Sequence, residues 1–301
     1  MKKRGRRASY WVLTGLITAI GIGILFYPAA SELWNRWRDA RLMTQYEQSA
    51  QTVPTDTYEE IWQAAREYNQ HHTVNVMVDV FDEEDAYVLT HPYDTMLDPN
   101  GSGLMGIVEI PKIGQRLPIH HGIGAESLEQ GVGHVEGTSL PIGGPSTHAV
   151  LAAHRGLPSK KLFTDLDQLE LGDQFYLYVM DEVLAYQVDR ITTVLPTEAD
   201  ELAIEAGCDY VTLLTCTPYG VNTHRLLVRG VRVPYSQEVR EEQAAQMDVV
   251  DSIRDLPLKL LGVGLIAVII LVPLIRLTID RRDNRKRQRQ STGRNRQENA
   301  K

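Results

Sequence analysis

From Gly106 onward the hydrophobic positions of the chain recur with a period of two, which is typical of β-strands. Glycine- or proline-containing turns separate these short runs, and the helical inserts between them are short. Strands are predicted at 107–110, 117–120, 148–153, 175–179, 183–194, 210–215 and 226–233. Several short strands with regular turns favour a closed, mainly β barrel over a parallel sheet.

Helical patterns lie on both sides of this β region. Residues 32–50 place their apolar side chains along one face, and Pro54 breaks that element. A second helix is predicted to start near Thr57, where Glu60 completes a capping box. Residues 236–252 are again expected to be helical. These amphipathic helices are predicted to pack on the outside of a domain whose interior is β.

Two uncharged runs flank the β region. The first, residues 8–31, is 24 residues long and predicts a transmembrane helix that Pro28 ends or kinks; a cleaved signal peptide is the alternative. The second run, residues 260–275, is 16 residues long. With its flanks it predicts a span at 259–277, against the alternative of a buried core helix. Both outer ends are basic, so the positive-inside rule predicts a two-pass membrane protein with cytoplasmic termini and an extracellular middle.

The charge distribution excludes one class of partner. The chain carries −8 overall, with +5 in residues 1–7 and +7 in residues 276–301, which leaves −20 for the middle. An acidic middle excludes a nucleic-acid binder, and the basic tail is expected to meet anionic lipid.

The expected organisation is a basic cytoplasmic N-terminus (1–7), a transmembrane helix (8–31), a helical region (32–103), the barrel (104–234), a juxtamembrane helix (235–258), a second transmembrane helix (259–277) and a basic disordered cytoplasmic tail (278–301).

The candidate chemistry centres on Cys216. An apolar run delivers this thiol to the end of a predicted strand, a Pro-Tyr-Gly turn follows, and Arg225 begins the next strand. A thiol beside a guanidinium is a way to build a thiolate nucleophile with a cation nearby. His224 is expected to point to the opposite face of its strand. Arg229 lies on the same face as Arg225 and is the second candidate for the arginine that acts with the thiol.

Two cysteines in an oxidising compartment often form a disulfide. The segment between Cys208 and Cys216 is predicted to be extended, so their Cα atoms would lie about 26 Å apart, beyond disulfide reach. Cys208 is therefore expected to take no part in the chemistry, with a misread strand or an interchain bridge as the alternatives.

The segment from Thr212 to Cys216, Thr-Leu-Leu-Thr-Cys, with an arginine on the next strand, closely resembles the signature of the sortases, cysteine transpeptidases of Gram-positive cell surfaces. Its continuation, Thr-Pro-Tyr-Gly-Val-Asn-Thr-His-Arg, is similar to the class C branch, which builds pili. The resemblance implies an eight-stranded β-barrel. It also implies a Leu-Pro-x-Thr-Gly-like sorting signal that is cleaved between threonine and glycine.

His154 begins the sequence His-Arg-Gly-Leu-Pro at the point where a predicted strand opens into a loop. This motif is similar to the histidine motif of the sortases, although Ala152 and Ala153 stand where many members have a hydroxyl residue and glycine. The resemblance implies that Cys216 attacks the scissile carbonyl, that His154 protonates the departing amine, and that Arg225 holds the substrate and offsets charge on the tetrahedral oxygen.

In class C enzymes a pilin lysine resolves the thioacyl intermediate as an isopeptide bond, so the resemblance implies pilin or surface-protein partners. Two alternatives remain: a sortase that anchors surface proteins to peptidoglycan, and a non-catalytic, membrane-tethered extracellular scaffold.

Class C members also carry an N-terminal lid, and Asp79 and Phe81 are the closest match, with valine in place of the usual proline. No cofactor or metal is expected. The spacing from Asp98 to Glu109 fits a calcium loop, but a turn into the first strand explains it more simply.

Overall fold

The alternating residues form a barrel of eight strands. The computed structural model describes residues 2–71, 93–198 and 200–242. The strands are β1 (Leu104–Ile110), β2 (Gln115–His121), β3 (Val132–His134), β4 (Thr147–Ala152), β5 (Gln174–Val179), β6 (Glu182–Val194), β7 (Asp209–Thr217) and β8 (His224–Val233). They close in the order β1-β2-β3-β4-β7-β8-β6-β5, with β5 paired to β1. The predicted closed β-barrel is confirmed.

Two of the pairings are parallel, and one of them matters for function. Strands β2 and β3 run parallel, as do β4 and β7, while the other pairs are antiparallel. Because β4 and β7 run in the same direction, both strands end at the same rim of the barrel. His154 follows the last residue of β4 by two positions, and Cys216 is the next-to-last residue of β7.

The barrel interior is filled by one face of each strand. Val211 and Leu213 of β7, Leu151 of β4 and Val228 of β8 belong to the main apolar core. The intervening residues of these strands point outward, as the pleat of a strand requires. The outer face of β1 is nevertheless buried, because Ile107 packs with Met43 and Tyr46 of the N-terminal helix.

In the described part of the chain, α-helices α1 (Lys2–Thr52), α2 (Thr55–His71) and α3 (Ala125–Gln130) accompany the barrel, and residues 237–242 are also helical. Short 3-10 turns lie at Tyr93–Thr95, Pro111–Ile113, Leu166–Gln168 and Asp200–Leu202. Helix α1 continues through Pro28, which therefore does not end it, and it stops before Pro54 as predicted. Helix α2 begins at Thr55, two residues before the predicted start. The expectation that helices pack outside the barrel is confirmed for α1, whose Met43 and Tyr46 pack on β1. The predicted helix 236–252 is described only as far as residue 242.

Within the described residues no helix is both long enough and apolar enough to cross a bilayer. A spanning helix needs about 20 consecutive, predominantly apolar residues. The predicted localisation, a two-pass membrane protein with both termini in the cytoplasm and the catalytic domain outside, is therefore wrong. Residues 8–31 belong to α1, which runs on to Thr52. The other predicted span, 259–277, and the tail lie outside the described residues.

The segment from Asp98 to Gly103 is a turn that leads into β1. The Asp98 carboxylate accepts hydrogen bonds from the backbone N–H groups of Ser102 (3.0 Å) and Gly103 (2.7 Å). Glu109, the last residue of the calcium-loop pattern, lies in β1 and accepts two hydrogen bonds from Arg240 at 3.0 and 3.1 Å. The two acidic residues that match the calcium-loop spacing therefore have structural roles: Asp98 closes a turn, and Glu109 forms an ion pair with Arg240.

Candidate active site

Cys216 and Arg225 lie directly opposite each other on the antiparallel strands β7 and β8. Directly opposed residues share one face of a sheet, with Cβ atoms about 5 Å apart. The connecting turn is closed by the backbone N–H groups of Val221 and Asn222, which both donate to the Pro218 carbonyl at 3.0 Å. Both side chains are largely buried, Cys216 at 9% and Arg225 at 7% exposure. The turn therefore sets a register that places Arg225 opposite Cys216 on the same face of the sheet.

His154 lies alongside Cys216 on the neighbouring chain segment. The Ala153 N–H donates to the Leu214 carbonyl at 3.1 Å, which continues the parallel β4–β7 pairing past the end of β4. On the other side of His154, the guanidinium of Arg155 donates to the Thr217 hydroxyl at 3.1 Å. The chain around His154 is thus bonded to residues on both sides of Cys216. The structure brings the predicted histidine, cysteine and arginine to one rim of the barrel.

A small apolar cluster lies next to these three residues on the outer face of the sheet. Ala152, Leu214 and Leu227 precede or follow the three by two positions and so share their face. Leu128 of α3 and Leu202 pack over them. A buried apolar base restrains the strands that carry the functional side chains and keeps water away from one side of the site.

Burial lowers the pKa of His154 below its ordinary value of 6.5, while the negative charge of Glu129 on α3 acts in the opposite direction. The neutral imidazole is therefore the resting form at neutral pH. A neutral imidazole can accept a proton from a thiol and later donate it.

Other histidines of the barrel, His120, His134 and His148, are also buried, and the last two have structural partners. Burial lowers the pKa of both His120 and His134 to about 4. His134 contacts the Tyr93 hydroxyl and the Ser139 carbonyl, each at 2.8 Å. His148 contacts the Thr212 hydroxyl at 2.7 Å and the Ala203 carbonyl at 3.0 Å. His134 and His148 are thus held in the framework of the barrel.

The two candidate arginines of β8 differ in their partners. Arg229 donates two hydrogen bonds to the Asp189 carboxylate, at 3.1 and 2.7 Å, and one to Glu205 at 3.0 Å. Its guanidinium also lies 3.9 Å from the centre of the Tyr210 ring. The contacts of Arg225 include the backbone carbonyls of Asn222 and His224. Arg229 therefore serves an ion-pair network four positions along β8 from Arg225, where it lies opposite Thr212 rather than Cys216.

Sequence reasoning missed two residues that frame the site. Arg155, besides its bond to Thr217, donates to the Thr164 carbonyl at 3.2 Å and to Asp167. The ring of Tyr219 lies so close to Gly156 that a Cβ added there would come within 2.9 Å of it. The His-Arg-Gly sequence itself was the available signal, because the two residues that follow the histidine make these contacts.

Cys208 and Cys216 are both free thiols, as the predicted separation requires. Among residues 2–71, 93–198 and 200–242, no group of three or more metal-ligating side chains is suited to hold an ion. The predicted lid residues, Asp79 and Phe81, lie outside the described residues.

A closed barrel that places a cysteine opposite an arginine, with a histidine on the neighbouring segment, is the arrangement expected of a cysteine-dependent acyl-transfer enzyme. The sortase domain model matches residues 108–233. Sortase D of Bacillus subtilis (strain 168) is 30% identical over 138 residues, which cover 45% of this chain and 67% of the relative. The chain belongs to the sortase family and is a cysteine transpeptidase.

The chain also resembles solved structures that belong to one branch of the sortase family. Sortase C-1 of Streptococcus pneumoniae is 47% identical, with a TM-score of 0.61 over 65% of this chain and 100% of that one. The pilus-related sortase C of group B Streptococcus is 45% identical, with a TM-score of 0.59 over 64% of this chain and 97% of that one. The chain is thus similar in sequence and in fold to class C sortases.

Proposed function

We propose that this protein polymerises pilins. It cleaves a Leu-Pro-x-Thr-Gly-like sorting signal between threonine and glycine, holds the acyl group as a thioester on Cys216, and transfers it to a pilin lysine. The observation that carries the proposal is the direct cross-strand pairing of Cys216 with Arg225, with His154 alongside.

The proposed chemistry follows from the positions of the three groups. The His154 imidazole accepts the Cys216 thiol proton, and the thiolate attacks the threonine carbonyl. Arg225 stabilises the negative charge on the resulting tetrahedral oxygen. The intermediate collapses to the thioester, and the glycine amine leaves with the proton from His154. A lysine amine then attacks the thioester, which gives the isopeptide bond and returns the proton to the thiolate.

The choice of acceptor rests on the relatives. The group B Streptococcus neighbour is described as pilus-related, and its identity of 45% spans nearly its whole length. This supports a pilin lysine over the alternative acceptor, a peptidoglycan amine. The non-catalytic scaffold is less well supported, because both cysteines are free and the thiol lies opposite an arginine.

The test offers the purified protein a pilin carrying the sorting signal together with two competing amines, a pilin lysine and a peptidoglycan stem peptide. Mass spectrometry identifies the bond that forms. We expect a pilin–pilin isopeptide bond and a thioester at Cys216. A product joined only to the stem peptide would contradict polymerisation and support wall anchoring.

Cys216→Ala should abolish cleavage and ligation. Cys208→Ala is the matched control, because it removes the other free thiol, which is half-buried and lies one residue before β7. We expect Cys208→Ala to retain both activities. Ligation by the Cys216→Ala variant would exclude the thioester mechanism.

A further inference from the structure

Helix α1 contacts the loop that follows His154 through a row of polar side chains. Glu32 accepts a hydrogen bond from the Lys161 N–H at 2.9 Å, and Asn35 donates to the Ser159 carbonyl at 2.8 Å. One helical turn further on, Asp39 pairs with Lys160 at 2.6 Å. The three helix residues recur at i, i+3 and i+7, which places them on one face of α1.

The Asp39–Lys160 pair is buried on both sides. The Lys160 side chain is 5% exposed and that of Asp39 is 6% exposed. Lys160 also donates to the carbonyl of Gln130, the last residue of α3. Helix α1, helix α3 and the loop therefore meet at one ammonium group. Paired buried charges hold a defined geometry, since separating them leaves an uncompensated charge.

The segment held by α1 is paired directly with the backbone of His154. Leu162 forms an antiparallel bridge with Arg155. The Phe163 N–H donates to the His154 carbonyl at 3.2 Å. Residues 159–163 thus fold back on the histidine, so a shift of Lys160 moves the backbone that carries the imidazole.

We propose that Asp39 and Lys160 are positioning residues through which helix α1 holds His154 in register with Cys216. The inference rests on the proposed function, because it assigns His154 the proton transfers of that reaction. The contact joins residues 121 positions apart. It makes the N-terminal helix part of the support of the active site, although α1 contributes no group to the chemistry.

The test must separate positioning from folding. Asp39→Asn alone would leave a buried ammonium without its counter-charge and destabilise the fold by that route. The double variant Asp39→Leu/Lys160→Met removes both charges and fills the space with apolar side chains, which is often neutral for stability. Asn35→Ala removes only a neutral hydrogen bond to the loop. Glu47→Gln is the matched control, since Glu47 lies two turns along α1 and pairs with Arg116 of β2.

Each variant is assayed with a fluorogenic Leu-Pro-Glu-Thr-Gly peptide for kcat, KM and the pH dependence of kcat/KM, and its thermal unfolding is recorded. We expect the double variant to lose about tenfold in kcat with little change in KM and with a displaced pH profile, since small misplacements of a reacting group are costly. Asn35→Ala should lose about twofold to threefold in kcat at an unchanged Tm. Glu47→Gln should match the parent.

Asn35→Ala decides the question even where the double variant does not fold. Parental kcat and pH profile in Asn35→Ala, and in the double variant where it is folded, overturn the proposal. Cys216→Ala is run in parallel: if it is inactive while the helix variants are parental, only this inference fails. If Cys216→Ala still cleaves the peptide, the proposed function fails first.

Discussion

The guanidinium of Arg155 donates a hydrogen bond to the hydroxyl of Thr217 across 3.1 Å. Arg155 directly follows His154, and Thr217 directly follows Cys216. This one contact therefore joins the two segments between which the proposed reaction moves a proton. The Arg155 side chain is only 7% exposed and also binds the Thr164 carbonyl and Asp167, so water and salt weaken the contact little.

Arg155→Lys is expected to lower kcat about tenfold. Lysine keeps the positive charge but cannot bind the separate acceptors Thr217 and Thr164 in the fixed plane of a guanidinium. Peptide cleavage kinetics measure the effect. Arg190→Lys is the control, because Arg190 forms an ion pair with Glu201 and is 46% exposed, where such pairs contribute little. Equal kcat values for the two variants would show that Arg155 does not align the site.

Arg225→Lys is expected to reduce kcat/KM by about 10²- to 10³-fold, the usual effect of removing a donor to a developing oxyanion. The companion variant, Arg229→Lys, alters the guanidinium that binds Asp189 and Glu205. It should lower Tm and leave kcat/KM within about threefold of the parent. Steady-state kinetics and thermal unfolding of both proteins test this assignment. The reverse result would make Arg229 the catalytic arginine.

The barrel was predictable because strand alternation and turn residues are local signals. Residues 210–215 and 226–233 were identified as strands, and their pairing followed from the short turn at Pro218. Strand β3 was missed because three residues, Val132–His134, are too few to show a period of two. The start of α2 differed from its prediction by two residues, since the sequence offered two threonines near that helix end.

The supporting contacts of the site were not predictable from local patterns. Arg155 and Thr217 are 62 positions apart, and Asp39 and Lys160 are 121 apart. No periodicity in the sequence links such pairs, because each depends on how the barrel closes and where α1 lies on it. The histidine motif identified the segment, while the packing of the whole domain determines what holds it in place.

Acid should destabilise the protein through His134. In the neutral ring, Nε2 donates to the Ser139 carbonyl, which can only accept, while Nδ1 carries no proton and contacts the Tyr93 hydroxyl. Burial lowers the pKa of His134 to about 4, against an ordinary value of 6.5. Between these values the unfolded chain binds a proton that the folded protein does not. Stability is thus fully present above pH 6.5 and falls towards pH 4, by on the order of 3 kcal/mol.

Urea unfolding of the parent and of His134→Gln at pH 7 and pH 4.5 isolates this contribution. Glutamine stays neutral, so the variant lacks the loss of stability that protonation of His134 causes. We expect the parent to be the more stable protein at pH 7 and its advantage to shrink by about 2 to 3 kcal/mol at pH 4.5. The difference in unfolding free energy between the two proteins at pH 7 gives the packing cost of the substitution alone. An advantage that stays constant between the two pH values would contradict a buried neutral imidazole.

The pH dependence of kcat/KM should report on His154. Burial lowers the pKa of this imidazole below 6.5, and the charge of Glu129 opposes the shift. In the proposed reaction the neutral imidazole accepts the Cys216 proton, so activity falls as His154 becomes protonated. The acid limb of the profile is therefore expected to have its midpoint below pH 6.5.

Glu129→Gln tests the electrostatic part of this assignment. Removing the carboxylate makes the imidazolium less favourable, so the acid limb should move to still lower pH. Glu126→Gln is the control on the same helix, because Glu126 is exposed, accepts a hydrogen bond from Gln130, and is not among the charges that shift His154. It should leave the profile in place. An acid limb above pH 7, or one that Glu129→Gln moves upward, would show that another group controls the profile.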